Sequence, residues 1–303
     1  MAKIDIRRVL CPTDFSAFSA RAFEHAVAMA AWHEARLTVL HILPDTVVPS
    51  NELAYMGNPM LLERGRSEDT QSWLADVVAP ACRAGLHVDG EVREGKPAGE
   101  IVRAAQDLGV DLIVMGTHGR SGFQRWVLGS VTEKVLRQAP CPVLTVSARG
   151  GEGPRPMFFK RILCATDFSP ASEAGVGYAG SLAVDADACL LLVHVLDRAA
   201  VGAPSDGGAD GDGRRPEFEC AARAQLRRAL PPEVRQWCMP EEIVTRGKVA
   251  PEILRLAAER QVDLVVMGVH GRSLLDLMAF GSMTHEVVRE AACPVLTVRP
   301  SSR

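Results

Sequence analysis

The second half of the chain repeats the first. A frame of three glycines closed by a serine, Gly116-x2-Gly119-x9-Gly129-Ser130, returns half a chain later as Gly268-x2-Gly271-x9-Gly281-Ser282. Other landmarks keep the same order. Arg8-Val-Leu-Cys-Pro-Thr-Asp14-Phe-Ser16 matches Arg161-Ile-Leu-Cys-Ala-Thr-Asp167-Phe-Ser169, and Ala139-Pro-Cys-Pro-Val-Leu-Thr-Val146 matches Ala291-Ala-Cys-Pro-Val-Leu-Thr-Val298. So long a period is that of a whole domain rather than of a solenoid unit. The 303 residues are therefore read as two copies of one fold, 1–148 and 158–303. The Gly- and Pro-rich stretch 149–157 has the composition of a flexible linker.

Within the first copy, strands are expected near 7–12, 36–42, 87–93, 111–115 and 143–146, because Val, Ile and Leu run together there without clean alternation, the mark of strands covered on both faces. Between them lie stretches with apolar residues three and four apart, the first opened by Ser16 as a natural N-cap. Alternating strands and helices imply, in each copy, an open five-stranded parallel sheet with helices on both faces, joined by right-handed crossovers. The segment after the second strand differs between the copies. It is long and mixed over 44–66, and rich in Gly and Asp over 203–214, where too little apolar surface exists to order the chain and mobility is expected. Asp206, Asp210 and Asp212 in that stretch lack the closing Glu of a calcium loop.

Composition narrows the functional classes. With 47% apolar and 23% charged residues, the chain is neither disordered nor fibrous. A net charge of -3, without a block of Lys and Arg, advertises no nucleic-acid or acidic-membrane partner. The longest apolar runs fall far short of the roughly 18 residues of a spanning helix, and no apolar signal core precedes the first strand. A cytoplasmic location is expected. The eight cysteines form no Cys-x-x-Cys pair and read as buried small hydrophobes in a reducing compartment, and no metal site is expected.

In an open parallel sheet, ligands settle beyond the carboxyl ends of the strands where the winding reverses. That crevice would collect Pro12, Thr13 and Asp14 from the first strand, His41 and Ile42 from the second, and 115–119 from the fourth. Gly116 and Gly119 let backbone N–H groups approach an oxyanion closely. Gly129, Ser130, Val131 and Thr132 open the last helix, whose free amides and positive dipole end suit phosphate, with hydroxyls from Ser130 and Thr132 to assist. Arg120 offers a fork of donors to a terminal phosphate. Asp14 is placed to accept from ribose hydroxyls or a base amine, to cap the first helix with Ser16, or both. These parts describe a nucleotide held by backbone. A Walker-type reading of 90–96 fails because Pro97 stands where Ser or Thr would hold magnesium, and no dinucleotide fingerprint follows the first strand.

With both glycine frames and both strand-one aspartates in place, the chain resembles a tandem universal stress protein of the ATP-binding type, a Rossmann-like fold of the adenine-nucleotide α-hydrolase kind. The resemblance implies ATP, with adenine near the backbone of Ile42 and Val195, and Asp14 and Asp167 close to adenine or ribose. It implies that Met115, Gly116, His118, Gly119 and Arg120 with 129–132 wrap the ribose and phosphates. In the second copy Ala165, Thr166, Asp167, Met267, Gly268, His270, Gly271, Arg272, Gly281, Ser282, Met283 and Thr284 would do the same. Under the slow-ATPase alternative, magnesium would accompany the nucleotide, with Asp14 or Asp167 helping to hold it. His118 and His270 are read as loop residues giving one hydrogen bond each, and His41 and His194 as satisfied core histidines. Because Thr117, Gln124 and Arg125 become Val269, Asp276 and Leu277, the first site is expected to bind ATP more tightly. The fifth strands would be sheet edges, covered by pairing with each other inside a chain or between chains of a homodimer. The function implied is a nucleotide-dependent stress or signalling module. A slow ATPase or phosphotransferase and a non-binding scaffold are the alternatives, and no catalytic residue is assigned.

Overall fold

The computed structural model describes residues 4–44, 59–118, 128–147, 159–197, 215–269 and 281–299, with helical backbone alone for 59–68 and 215–216. The linker 149–157, the loop 203–214, and Gly119, Arg120, His270, Gly271 and Arg272 lie outside the described residues. Those described from Asp5 to Cys141, Leu128 apart, form one compact unit; Ile4, Leu128 and the described residues from Pro142 onward form another.

The first unit alternates strand and helix: β1 (Arg8–Thr13), α1 (Ala17–His33), β2 (Arg36–Leu43), α2 (Pro59–Arg83), β3 (Val88–Glu94), α3 (Pro97–Asp107), β4 (Leu112–Gly116) and α4 (Ser130–Gln138). Its sheet runs β3-β2-β1-β4 and is parallel throughout, with Arg8 opposite Arg36 and Val9 opposite Leu112. β1 and β4 are buried along almost their whole length, as expected of strands with helices on both faces. The outermost strand, β3, is more exposed and carries Asp89, Glu91, Arg93 and Glu94. Such charge is one way an edge resists pairing with another chain.

The second unit contains β5 (Val143–Val146), β6 (Arg161–Ala165), α5 (Pro170–Ala186), β7 (Cys189–Leu196), α6 (Arg215–Ala229), α7 (Pro232–Cys238), β8 (Glu241–Arg246), α8 (Val249–Glu259), β9 (Leu264–Gly268), α9 (Ser282–Glu290) and β10 (Val295–Val298). The strand order is β5-β10-β9-β6-β7-β8. All pairs are parallel except β5 with β10. The expected α/β architecture with a mostly parallel sheet is thus present. β5 and β10, both reading Val-Leu-Thr-Val, lie antiparallel with Leu144 opposite Leu296. This register sets each threonine against a valine, and Thr145 Oγ1 donates to the Val295 carbonyl at 3.1 Å while Thr297 Oγ1 donates to that of Val143 at 3.2 Å.

Among the described residues, no helix is long and apolar enough to cross a membrane. The thiols of Cys11 and Cys164 lie fully buried in β1 and β6, and burial pushes both up to about 12. Neither forms thiolate at neutral pH; the reading of the cysteines as buried packing residues holds for these two, whereas Cys82, Cys189 and Cys220 are exposed.

Candidate functional site

In both repeats the turn after the first strand is built by hydrogen bonds that the sequence encodes locally. Asp14 Oδ1 accepts from the Ser16 amide at 3.1 Å and from the Ser16 hydroxyl at 2.6 Å, and Ser16 Oγ accepts from the Ser19 amide to cap α1. Asp167 Oδ1 likewise accepts from the Ser169 amide at 3.0 Å, and Ser169 caps α5, where Pro170 fills the first helical position. Burial works against the Asp167 charge, yet the Ser169 hydroxyl and amide and the Ser172 hydroxyl outweigh it, so this carboxyl lies below its ordinary range. The turn forces Phe15 and Phe168 to φ of 59° and 63°, a left-handed backbone that a bulky residue seldom adopts. Each strained phenylalanine covers a histidine at the end of the second strand: Phe15 on His41 at 4.6 Å, Phe168 on His194 at 4.5 Å. His41 Nδ1 sits 2.7 Å from the Thr13 carbonyl and His194 Nδ1 2.8 Å from that of Thr166. Both histidines are thus satisfied, as the sequence suggested, but only His41 is a core residue and His194 is half-buried.

At the far side of the crevice the last helix begins without a capping side chain. Gly129 stands at the N-cap of α4, and the first amide with an intrahelical partner is Glu133, which donates to Gly129 at 2.9 Å. The amides of Ser130, Val131 and Thr132 therefore point out of the helix end with its positive dipole. The Gly129 amide is itself occupied, donating to the Thr117 carbonyl at 2.9 Å. Thr132 is buried and its hydroxyl donates to the Gly116 carbonyl at 2.9 Å. Its proton ties the two ends of the glycine loop together, so that hydroxyl offers phosphate no donor in this arrangement. Thr284 repeats the contact to Gly268 at 3.3 Å. Thr117 Oγ1 lies 2.9 Å from His118 Nδ1 and orients that ring, a bond that Val269 cannot make in the second repeat.

Between these two ends the first unit encloses a cavity of about 560 Å3. Of the residues named from sequence, Pro12, Thr13, Asp14, Ile42, Met115, Gly116, His118, Gly129, Ser130, Val131 and Thr132 line it together. It lies at the carboxyl ends of β1, β2 and β4, where the strand order reverses around β1. Sequence reasoning missed another wall: Phe15, Asp69, Thr70, Trp73, Pro97 and Ile101. Asp69, Thr70 and Trp73 belong to α2, just beyond the divergent stretch 44–66, and no doubled landmark marked them. Among the described lining residues there is no Lys or Arg, and the carboxylates are Asp14 and Asp69. No group of three or more His, Cys, Asp or Glu that could hold a metal ion occurs among the described residues.

In the second unit, Ala165 and Thr166 end or follow β6, Val195 is buried in β7, and Met267 and Gly268 end β9 beside Ala165. Gly281 again caps its helix without a side chain, followed by Ser282, Met283 and Thr284. One difference is sharp. A methyl group added at Gly268 would come within 2.7 Å of the Ala171 backbone, whereas at Gly116 the nearest atoms are 3.2 Å away. The first turn of α5 packs closer to its strand end than that of α1.

Comparison with known proteins follows the same outline. The family model described as the universal stress protein family matches residues 5–147 and again 158–299. A universal stress protein of Mycolicibacterium smegmatis is 29% identical over 302 residues, spanning 96% of this chain and 97% of that protein. Universal stress protein MJ0531 of Methanocaldococcus jannaschii is 37% identical over 140 residues, 46% of this chain and 81% of that one. Among solved structures, a universal stress protein from Archaeoglobus fulgidus DSM 4304 has the same fold, at a TM-score of 0.65 and 22% identity over 96% of each chain. Matched twice by one family model and along nearly its whole length by a relative, the chain belongs to the universal stress protein family.

Proposed function

We propose that the first repeat binds ATP in the cavity at the ends of β1, β2 and β4, and that the chain works as a nucleotide-dependent stress-response and signalling module rather than a dedicated catalyst. One coincidence carries this reading. A cavity of about 560 Å3, within the usual range for small-molecule sites, opens onto the uncapped amides of Ser130, Val131 and Thr132. Backbone amides at a helix start are suited to phosphate. Gly129 lets the helix start pack close to the loop, since a Cβ there would come within 3.2 Å of the Thr117 carbonyl. The apolar wall of Ile42, Met115, Phe15 and Trp73 suits a heterocycle, and Asp14, which lines the same cavity, would accept from ribose. Magnesium bound with the nucleotide would offset the repulsion between the phosphates and Asp14.

Several further points belong to this proposal. Gly119 and Arg120 contribute to the phosphate end of the first site, and His270, Gly271 and Arg272 to that of the second. The first site is the tighter one, because the second repeat replaces Thr117 with Val269 and Arg125 with Leu277 and adds Asp276. The domains are 1–148 and 158–303. Pairing of the two repeats through their fifth strands, which the β5–β10 ladder supports, and a homodimer complete the picture, in a cytoplasmic setting where the free cysteines stay reduced. Mass spectrometry of ligand released from freshly purified, denatured protein tests the reading: retained ATP is the expected result. Absence of nucleotide together with no uptake from millimolar ATP would overturn it.

A further inference from the structure

One wall of the cavity is supplied by α2, through Asp69, Thr70 and Trp73. Thr70 is buried there, but Trp73 is 56% exposed, a large ring left half in solvent at the rim. Its edge meets Phe15 at 6.2 Å and 83°, and Phe15 rests on His41, so three rings line one side of the cavity. The left-handed turn at Phe15 fixes the middle ring in place. Asp69 stands four residues before Trp73, on the same helix face. A carboxylate repels phosphate and can only accept hydrogen bonds. It therefore suits a neutral donor group on the ligand, and it directs the phosphates toward α4 at the other end.

We propose that Asp69 and Trp73 read the base of the bound nucleotide: the Trp73 ring covers the heterocycle and the Asp69 carboxylate accepts a hydrogen bond from its exocyclic amine. The assignment rests on the nucleotide reading above and adds selectivity to it. A 6-amino purine satisfies Asp69, whereas a 6-oxo purine sets a carbonyl oxygen against the carboxylate. The corresponding helix of the second repeat, α6, contains neither Asp nor Trp. Base selection thus belongs to the first site, and Trp73 reports on that site alone.

The test uses the full chain with ATP and ITP, read by calorimetry and tryptophan emission. Wild type is expected to prefer ATP over ITP by about tenfold or more, the worth of a charge-assisted hydrogen bond. Asp69→Asn, whose amide can turn to serve either purine, brings the ratio to within about threefold. Trp73→Phe keeps an aromatic edge against Phe15 and its thermal melting, but loses the ATP-induced change in emission. An unchanged ATP-to-ITP ratio in Asp69→Asn, or a full emission change in Trp73→Phe with ATP still bound, overturns the base-reading wall and leaves the nucleotide site standing. Failure of wild type to bind either nucleotide overturns both.

Discussion

Gly116 and Gly268 occupy the same place in their repeats, yet they do different work. Any side chain at Gly268 must push the backbone of Ala171 and Ser172 away, since a Cβ would lie 2.7 to 2.8 Å from them. Backbone in the first turn of a capped helix does not yield cheaply. Gly268→Ala is therefore expected to lower unfolding free energy by about 1–3 kcal/mol, the usual cost of overpacking, and Gly116→Ala by less, as denaturant titrations of the two variants would show. Equal effects would contradict this packing difference. Asp167 supplies a pH test. Its carboxyl is held below the ordinary range, so its share of stability is complete above the unfolded carboxylate range and is lost as pH falls through the folded value. Asp167→Asn should be less stable than wild type at neutral pH, with the gap closing in acid; a gap that stays constant down to about pH 2 would sink the argument. At this scale the sequence was legible where a residue acts on its close neighbours, as Asp14 and Ser16 do. It was not legible where the partner lies across the fold. Nothing near Thr132 announces that its hydroxyl serves the Gly116 carbonyl, and nothing near Trp73 announces a cavity.

All five strands expected in the first copy fall within a residue of those observed, the exposed edge β3 included. Runs without alternation placed β1, β4 and β5 within a residue or two, because strands covered on both faces leave few positions for polar side chains. The antiparallel sense of β5 against β10 left no such trace. Both strands read Val-Leu-Thr-Val, and only the register, Val143 with Thr297 and Thr145 with Val295, reveals how two identical segments satisfy each other. Each threonine hydroxyl is buried and spends its proton on the opposite strand. Thr145→Val and Thr297→Val, which keep the shape and remove the donor, are each expected to cost about 1 kcal/mol of stability. Measured by thermal unfolding, a loss in only one of the pair would argue against the symmetric ladder. The starts of α4 and α9 show the opposite economy. Gly129 and Gly281 forgo a capping side chain at some cost in helix stability, and an anion at those amides would restore what the cap would have given.

The whole molecule holds two sets of the same parts, and these differ at the strand ends rather than in the sheet. Both repeats keep the aspartate turn, the strained phenylalanine, the stacked histidine and the uncapped last helix. They differ at Thr117 and Val269, in the closeness of α1 and α5 to the strand ends, and in the Asp69 and Trp73 pair. Such a pattern suits one tight site and a second that is weak or tuned to another condition. Gly129 and Gly281 form the better matched pair for testing it, because both have ordinary negative φ and Gly268 is needed for packing. The direct measurement is calorimetric titration of ATP into wild type, Gly129→Val and Gly281→Val. The account predicts that Gly129→Val abolishes the tight binding event and that Gly281→Val leaves it in place. Equal loss from the two variants would contradict the asymmetry, and full-strength binding by Gly129→Val would contradict the assignment of the cavity to ATP.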